Sequence, residues 1–188
     1  MAEFKSGFVS IIGRTNVGKS TLLNNLIKEN VVITANKPQT TRNAIRAIAN
    51  RENSQIIFID TPGIHKPKSK LSETMVDTAF SSLKDVDVIL FMIEATSKEI
   101  GKGDTYILEK LKTINKKVIL IINKIDLIEK EKILKLIEMY KEVYDFSAVI
   151  PLEATNSKYS EIVLDEIEKL LKPGPRFYEE DEYTDQTK

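Results

Sequence analysis

The chain has 188 residues, with 28 Lys and Arg balanced by 28 Asp and Glu, one histidine and no cysteine. That length supplies one well-buried core and falls short of two full domains. A zero net charge gives no global basic field to draw nucleic acid or anionic membrane, and a chain without cysteine excludes disulfides, thiolate zinc sites, iron–sulfur clusters and Cys nucleophiles.

Met1–Lys5 carries no secretory apolar core, and the longest apolar runs, such as Val88–Ile93, are far below a membrane span. A cytoplasmic location is the expectation. The charge is uneven: Glu179, Glu180, Asp181, Glu182 and Asp185 stand against Lys188 at the C-terminus, which reads as a solvated acidic tail.

In chain order, short β-branched apolar runs at 8–12, 55–59, 86–93, 117–122 and 148–152 read as strands buried on both faces of a parallel sheet. Between them lie apolar residues at i, i+3, i+4 spacing: Leu22/Leu23/Leu26/Ile27, Met75/Val76/Ala79/Leu83, Ile107/Leu108/Leu111/Ile114, Ile133/Leu134/Ile137/Tyr140 and Val163/Ile167/Leu170/Leu171. Residues 44–50 form a weaker strand joined to the next by the short turn Arg51-Glu52-Asn53, hence an antiparallel edge partner. The prediction is a three-layer α/β fold: a mostly parallel six-stranded sheet with one antiparallel edge strand and helices on both faces. Two loops without helical or strand period, 29–43 and 61–71, belong at the carboxyl ends of strands, where open sheets bind ligands. Lys172-Pro173-Gly174-Pro175 ends the last helix, so residues 1–174 are expected as the folded domain and 175–188 as a linker or tail.

The first strand runs into Gly13-Arg14-Thr15-Asn16-Val17-Gly18-Lys19-Ser20 and then a helix beginning near Thr21. This is the spacing G-x-x-x-x-G-K-S/T in the strand–helix context of a phosphate-binding loop. The two glycines let backbone N–H groups turn inward, and the helix start adds its positive dipole end. Lys19 would reach the β- and γ-phosphates, and the Ser20 hydroxyl would ligate Mg²⁺. The strand at 55–59 ends in Asp60-Thr61-Pro62-Gly63: the carboxylate suits a water-mediated hold on Mg²⁺, and Gly63 offers an N–H to the γ-phosphate.

The strand at 117–122 ends in Asn123-Lys124-Ile125-Asp126. Ionised Asp126 only accepts hydrogen bonds, so it pairs with a base edge presenting two donors, as guanine does and adenine does not. Asn123 can donate to base acceptors, and the stem of Lys124 can lie along the ring. GTP is therefore favoured over ATP.

The motifs G-R-x-N-V-G-K-S, Lys37-Pro38-Gln39-Thr40-Thr41-Arg42, D-T-P-G and N-K-I-D, in that order, resemble the Era subgroup of translation-factor-class P-loop GTPases over essentially the whole chain. Gln39-Thr40-Thr41-Arg42 and the Gly63-Ile64-His65 after Asp60 are similar to Era in particular. The tail Tyr178–Asp185 resembles the acidic linker before that family's C-terminal KH domain, so these residues are expected to be an isolated G domain. The resemblance implies a GTP-hydrolysing molecular switch with GTP/GDP and Mg²⁺, working in assembly of the small ribosomal subunit. Ribosomal RNA would be gripped by the KH domain, and a peripheral membrane contact is implied for the family. Without that RNA reader, residues 1–188 are expected to bind RNA weakly at most. A nucleotide-gated interaction module with negligible hydrolysis is the alternative, favoured by Ile64 and Glu153.

The resemblance further implies switch I at roughly 31–43, with Thr41, or its neighbour Thr40, reaching Mg²⁺ in the GTP state. Ile64 stands where Ras-like relatives carry a water-positioning glutamine, so slow intrinsic hydrolysis is expected. His65, as a lone histidine in a polar loop, reads as solvated rather than as a general base. Asn16 is the better candidate, because family members with asparagine here resemble K⁺-stimulated enzymes in which it helps bind K⁺ beside the phosphates. The residues carrying hydrolysis are then Lys19, Thr41, Gly63 and Asn16. The family's last motif, a Ser-Ala that caps the base, falls on Glu153-Ala154; the Ala154 N–H would meet the guanine O6, and Glu153 departs from the pattern.

Overall fold

The computed structural model describes residues 3–14, 17–27, 31–32, 45–59, 80 and 83–178. Within them the strands are β1 (Lys5–Gly13), β2 (Val31–Val32), β3 (Ile45–Asn50), β4 (Ser54–Ile59), β5 (Val88–Glu94), β6 (Lys117–Asn123), β7 (Ala148–Pro151) and β8 (Lys172–Pro173). The helices, numbered over the described residues, are α1 (Lys19–Ile27), α2 (Lys102–Leu111), α3 (Lys130–Val143) and α4 (Ser160–Leu170). The predicted helical pattern at 75–83 falls almost wholly outside the described residues.

One sheet runs β2-β3-β4-β1-β5-β6-β7, with β8 paired to β1. The pairs β1–β4, β1–β5, β5–β6 and β6–β7 are parallel, whereas β2–β3, β3–β4 and β1–β8 are antiparallel. The fold class is the predicted one; among the described residues the sheet has eight strands where six were expected. Both additions are two residues long, too short for any periodicity to register. Because β2 pairs outside β3, the predicted edge strand lies second from the edge.

Strands β4, β5 and β6 are buried along nearly their whole length, which is why they read as unbroken apolar runs. One face packs on α2 and α3 through Ile107, Leu108, Leu111, Ile133, Leu136 and Tyr140. The other packs on α1 and α4 through Leu22, Leu26, Val163, Leu164 and Ile167. Neither amphipathic helix pair would be stable alone; burying each apolar stripe on the sheet makes it so.

The chain leaves β1 to build β2–β4 on one side and then crosses to build β5–β7 on the other. That reversal places a crevice at the carboxyl end of β1. At the opposite end, β8 pairs Lys5 with Pro173 and Ser6 with Lys172, and the Gly174 N–H donates to the Phe4 carbonyl at 3.0 Å. Residues 175–178, within the stretch expected as linker, continue along this end of the sheet. The Phe177 ring lies 5.3 Å from that of Phe8. Gln55, fully buried on β4, accepts from the Phe177 and Tyr178 N–H groups at 2.9 and 3.1 Å and donates to the Tyr178 carbonyl at 2.8 Å.

Candidate nucleotide site

β1 ends at Gly13, and the phosphate loop begins there. Gly13 and Gly18 both take positive φ, 154° and 109°. A Cβ on Gly13 would stand 2.5 Å from the Met92 carbonyl oxygen, and one on Gly18 would collide with the Asn123 amide nitrogen. The loop thus lies against β5 and β6 as closely as backbone can, which only glycine permits. Val17 points the other way, fully buried in the core under α1. The Leu22 N–H donates to the Gly18 carbonyl at 3.0 Å to close the first turn of α1. Lys19 reaches back across the loop, its Nζ donating to the Gly13 carbonyl at 2.5 Å.

A cavity of about 550 Å³ opens here, lined by Gly18, Lys19, Ser20 and Thr21 together with Asn123, Lys124, Asp126, Leu127, Glu153, Ala154 and Thr155. The sequence motifs therefore meet in one concavity, although more than a hundred residues separate them. The helix start favours anions. Asp126 lies exposed on the same cavity wall.

Asn123 joins the phosphate loop to the Glu153-Ala154 segment. Its Nδ2 donates to the Val17 carbonyl at 2.8 Å, and its Oδ1 accepts from the Ala154 N–H at 2.8 Å. The expectation was that Asn123 donates to the base and that the Ala154 N–H meets guanine O6. In the structure the Asn123 amide ties the phosphate loop to the last motif, with one amide hydrogen left beyond these two bonds. The Ala154 carbonyl in turn accepts from the Asn25 side chain of α1. Glu153 is partly buried beside it.

Lys124 takes a left-handed backbone, φ 68°, which starts the 3₁₀ turn Ile125–Leu127 and swings Asp126 toward the cavity. Its Nζ is held by Glu94 Oε1 at 2.9 Å, at the end of β5. Burial works to raise the Glu94 pKa, but the hydrogen bond and charge of Lys124 outweigh it and hold the carboxyl below its ordinary value. With its ammonium anchored, Lys124 offers the cavity its aliphatic stem, as a base-stacking role requires. Leu127, 62% exposed, adds an apolar wall that the sequence motifs alone did not single out.

Thr15, Asn16, Thr41, Asp60, Thr61, Pro62 and Gly63 lie outside the described residues, as do Ile64 and His65. Of the expected magnesium ligands, the described residues include Ser20, at the start of α1 and on the cavity wall. No cluster of three or more His, Cys, Asp or Glu able to hold a metal occurs among the described residues.

The chain matches the family model described as 50S ribosome-binding GTPase over residues 8–124. It is 52% identical over 183 residues to the GTPase Era of Caldanaerobacter subterraneus subsp. tengcongensis, covering 97% of this chain and 61% of that protein. It is 50% identical over 182 residues to the GTPase Era of Thermoanaerobacter sp., covering 97% and 60%. Among solved structures it is similar to Era in complex with MgGDPNP and nucleotides 1506–1542 of 16S ribosomal RNA, with TM-score 0.77, 41% identity and coverage of 95% and 61%. It is similar also to an Aquifex aeolicus Era variant bound to GDP·AlF4⁻, with TM-score 0.76, 40% identity and the same coverage of 95% and 61%. The chain thus spans about three fifths of the length of these relatives. With the phosphate loop, Asn123 and Asp126 on one cavity, and the family model matched from β1 through Lys124, the chain belongs to the 50S ribosome-binding GTPase family, and its relatives are Era GTPases.

Proposed function

We propose that the chain is the guanine-nucleotide-binding part of a molecular switch that hydrolyses GTP. The observation that carries this is the Asn123 bridge: one buried amide ties the phosphate loop to the last motif, with Asp126 on the wall of the same cavity. A nucleotide fits with its phosphates on the start of α1 and its base between the Lys124 stem and Leu127. Asp126 accepts from the two guanine donors there, and adenine leaves the carboxylate unpaired.

Lys19 neutralises charge on the terminal phosphates, and its present bond to the Gly13 carbonyl keeps it folded over the loop until an anion competes for it. Magnesium, when bound, neutralises charge building on the phosphate oxygens. Ser20 would hold it, with Asp60 and Thr41 (or Thr40) completing the set; the glycine-flanked cradle, with Ser20 on the cavity wall, fits that arrangement. The Gly63 N–H faces the γ-phosphate in this proposal. Ile64 orients no water, so hydrolysis by the chain alone is slow, and Asn16 with K⁺ supplies part of the missing stabilisation. Hydrolysis then releases switch I, residues 31–43.

The cellular role we propose, small-subunit assembly, follows from similarity to Era and to the structure carrying a 16S ribosomal RNA fragment. We take residues 1–174 as the G domain and 175–188 as the connection toward a KH domain that holds the RNA. The location proposed is the cytoplasm; no helix among the described residues is long and apolar enough to cross a membrane, and peripheral membrane contact enters only as a family expectation. Multiple-turnover phosphate release from GTP tests the enzymatic proposal: slow release, faster in KCl than in NaCl at equal ionic strength and lost in Lys19→Ala, is expected. Equal rates in the two salts would remove K⁺ and Asn16 from the mechanism. Release that Lys19→Ala leaves intact would remove the site.

A further inference from the structure

Beyond the cavity wall, Arg14 of the phosphate loop turns away from the site. Its Nε donates to Asp104 Oδ1 at 3.1 Å, on the first turn of α2. The second oxygen, Asp104 Oδ2, accepts from the Tyr140 hydroxyl of α3 at 3.2 Å. Asp104 is 1% exposed and Tyr140 is fully buried, so this is a carboxylate set inside the protein with both oxygens occupied. Gly103 keeps the route open: a Cβ there would stand 2.7 Å from Arg14 Cδ.

A buried carboxylate adds little net stability even when paired, because desolvation offsets the attraction. Burial indeed raises the Asp104 pKa despite the opposing charge and hydrogen bond of Arg14. Such an arrangement is better suited to fixing position than to adding stability. What it fixes is the residue directly after Gly13, whose carbonyl holds Lys19. Arg14 also lowers the pKa of Glu94, the anchor of Lys124, so one guanidinium lies in the fields of carboxylates behind both halves of the site.

We propose that Asp104, supported by Tyr140, is a positioning residue for the phosphate loop: through Arg14 it holds the loop in its phosphate-binding shape and so sets the rate at which the nucleotide leaves. This rests on the cavity being a guanine-nucleotide site. A loop free to shift relaxes around the β-phosphate, common to GDP and GTP, so both leave faster while base preference, set at Asp126, stays.

The test is release of methylanthraniloyl-GDP from the 188-residue chain, chased with unlabelled GDP, for wild type, Asp104→Asn, Arg14→Ala, Arg14→Lys, Tyr140→Phe and the Arg14→Ala/Asp104→Asn pair. Asp104→Asn and Arg14→Ala are expected to speed release roughly tenfold, the scale seen when outer support of a binding group is removed. Tyr140→Phe should have a smaller effect, and Arg14→Lys should restore part of the loss. The pair should be no worse than the more severe single change, because both remove the same link. Folded Asp104→Asn or Arg14→Ala that releases within about twofold of wild type, or a pair whose effects multiply, would overturn the proposal. Arg14→Ala, at a side chain 37% exposed, keeps the test decisive where Asp104→Asn does not fold. Wild type that binds no labelled GDP at all would instead overturn the reading of the cavity.

Discussion

Asn123 donates to the Val17 carbonyl at 2.8 Å, so the end of β6 holds the phosphate loop directly. With Oδ1 on the Ala154 N–H, the same amide joins that loop to the Glu153-Ala154 segment. Asn123→Asp keeps an acceptor for Ala154 but sets a carboxylate oxygen against the Val17 carbonyl. Binding of GDP, measured by calorimetry, should weaken at least roughly tenfold, and unfolding stability should fall by about 1–3 kcal/mol for the unsatisfied buried groups. Wild-type affinity in this variant would detach Asn123 from the site.

Gly18→Ala meets both a positive φ and the Asn123 amide. A loss of about 1–3 kcal/mol in urea unfolding, together with loss of GDP binding, is the expected outcome. Gly101→Ala is the control: nothing lies within 4 Å of a Cβ there, and only the helix-start preference changes, by about 1 kcal/mol or less.

Glu94 and Asp104 should leave opposite marks on acid stability. The Glu94 pKa lies below 4.5 in the folded chain, so just below that pH the unfolded chain binds more protons and stability rises with pH. The advantage of wild type over Glu94→Gln is therefore full above about pH 4.5 and shrinks as pH falls through the folded value. Asp104 is raised above 3.8, so there the folded chain binds more protons and stability drops as pH rises. The difference between wild type and Asp104→Asn should favour wild type most below about pH 3.8 and decline as pH climbs through the folded value. Urea midpoints across the acid range check both, and parallel curves for all three proteins would refute the assignment.

Gln55 satisfies three backbone groups of residues 177–178 and also donates to Asn50 Oδ1 at 2.9 Å. Gln55→Leu should cost about 2–3 kcal/mol by stranding those groups while leaving GDP affinity near wild type, since β4 carries this contact at the end of the sheet remote from the cavity.

The parallel core strands were legible because burial on both faces leaves an unbroken apolar run, as in Val88–Ile93. The Gly13–Ser20 loop and the Asn123–Asp126 motif were legible as candidates because phosphate and guanine chemistry dictates residue type at fixed spacing. The tasks of Asn25, Glu94, Asp104 and Tyr140 were not. Each is a common polar residue on an ordinary helix or strand, and its role arises only when the fold brings it to a partner 30 to 129 positions away. The two-residue β8 was hidden for a different reason: Lys172-Pro173 carries a helix-stop signal, and Pro173 at the sheet margin needs no N–H for the ladder.

The most direct test of the guanine-nucleotide assignment is competition by GTP and ATP for labelled GDP on wild type and Asp126→Asn. Wild type should release the label to GTP and retain it against a large excess of ATP. In Asp126→Asn the amide meets two base donors with a single acceptor and a donor of its own, so guanine affinity should fall roughly a hundredfold or more. An unchanged preference for GTP in Asp126→Asn, or ATP competing as well as GTP on wild type, would contradict the assignment.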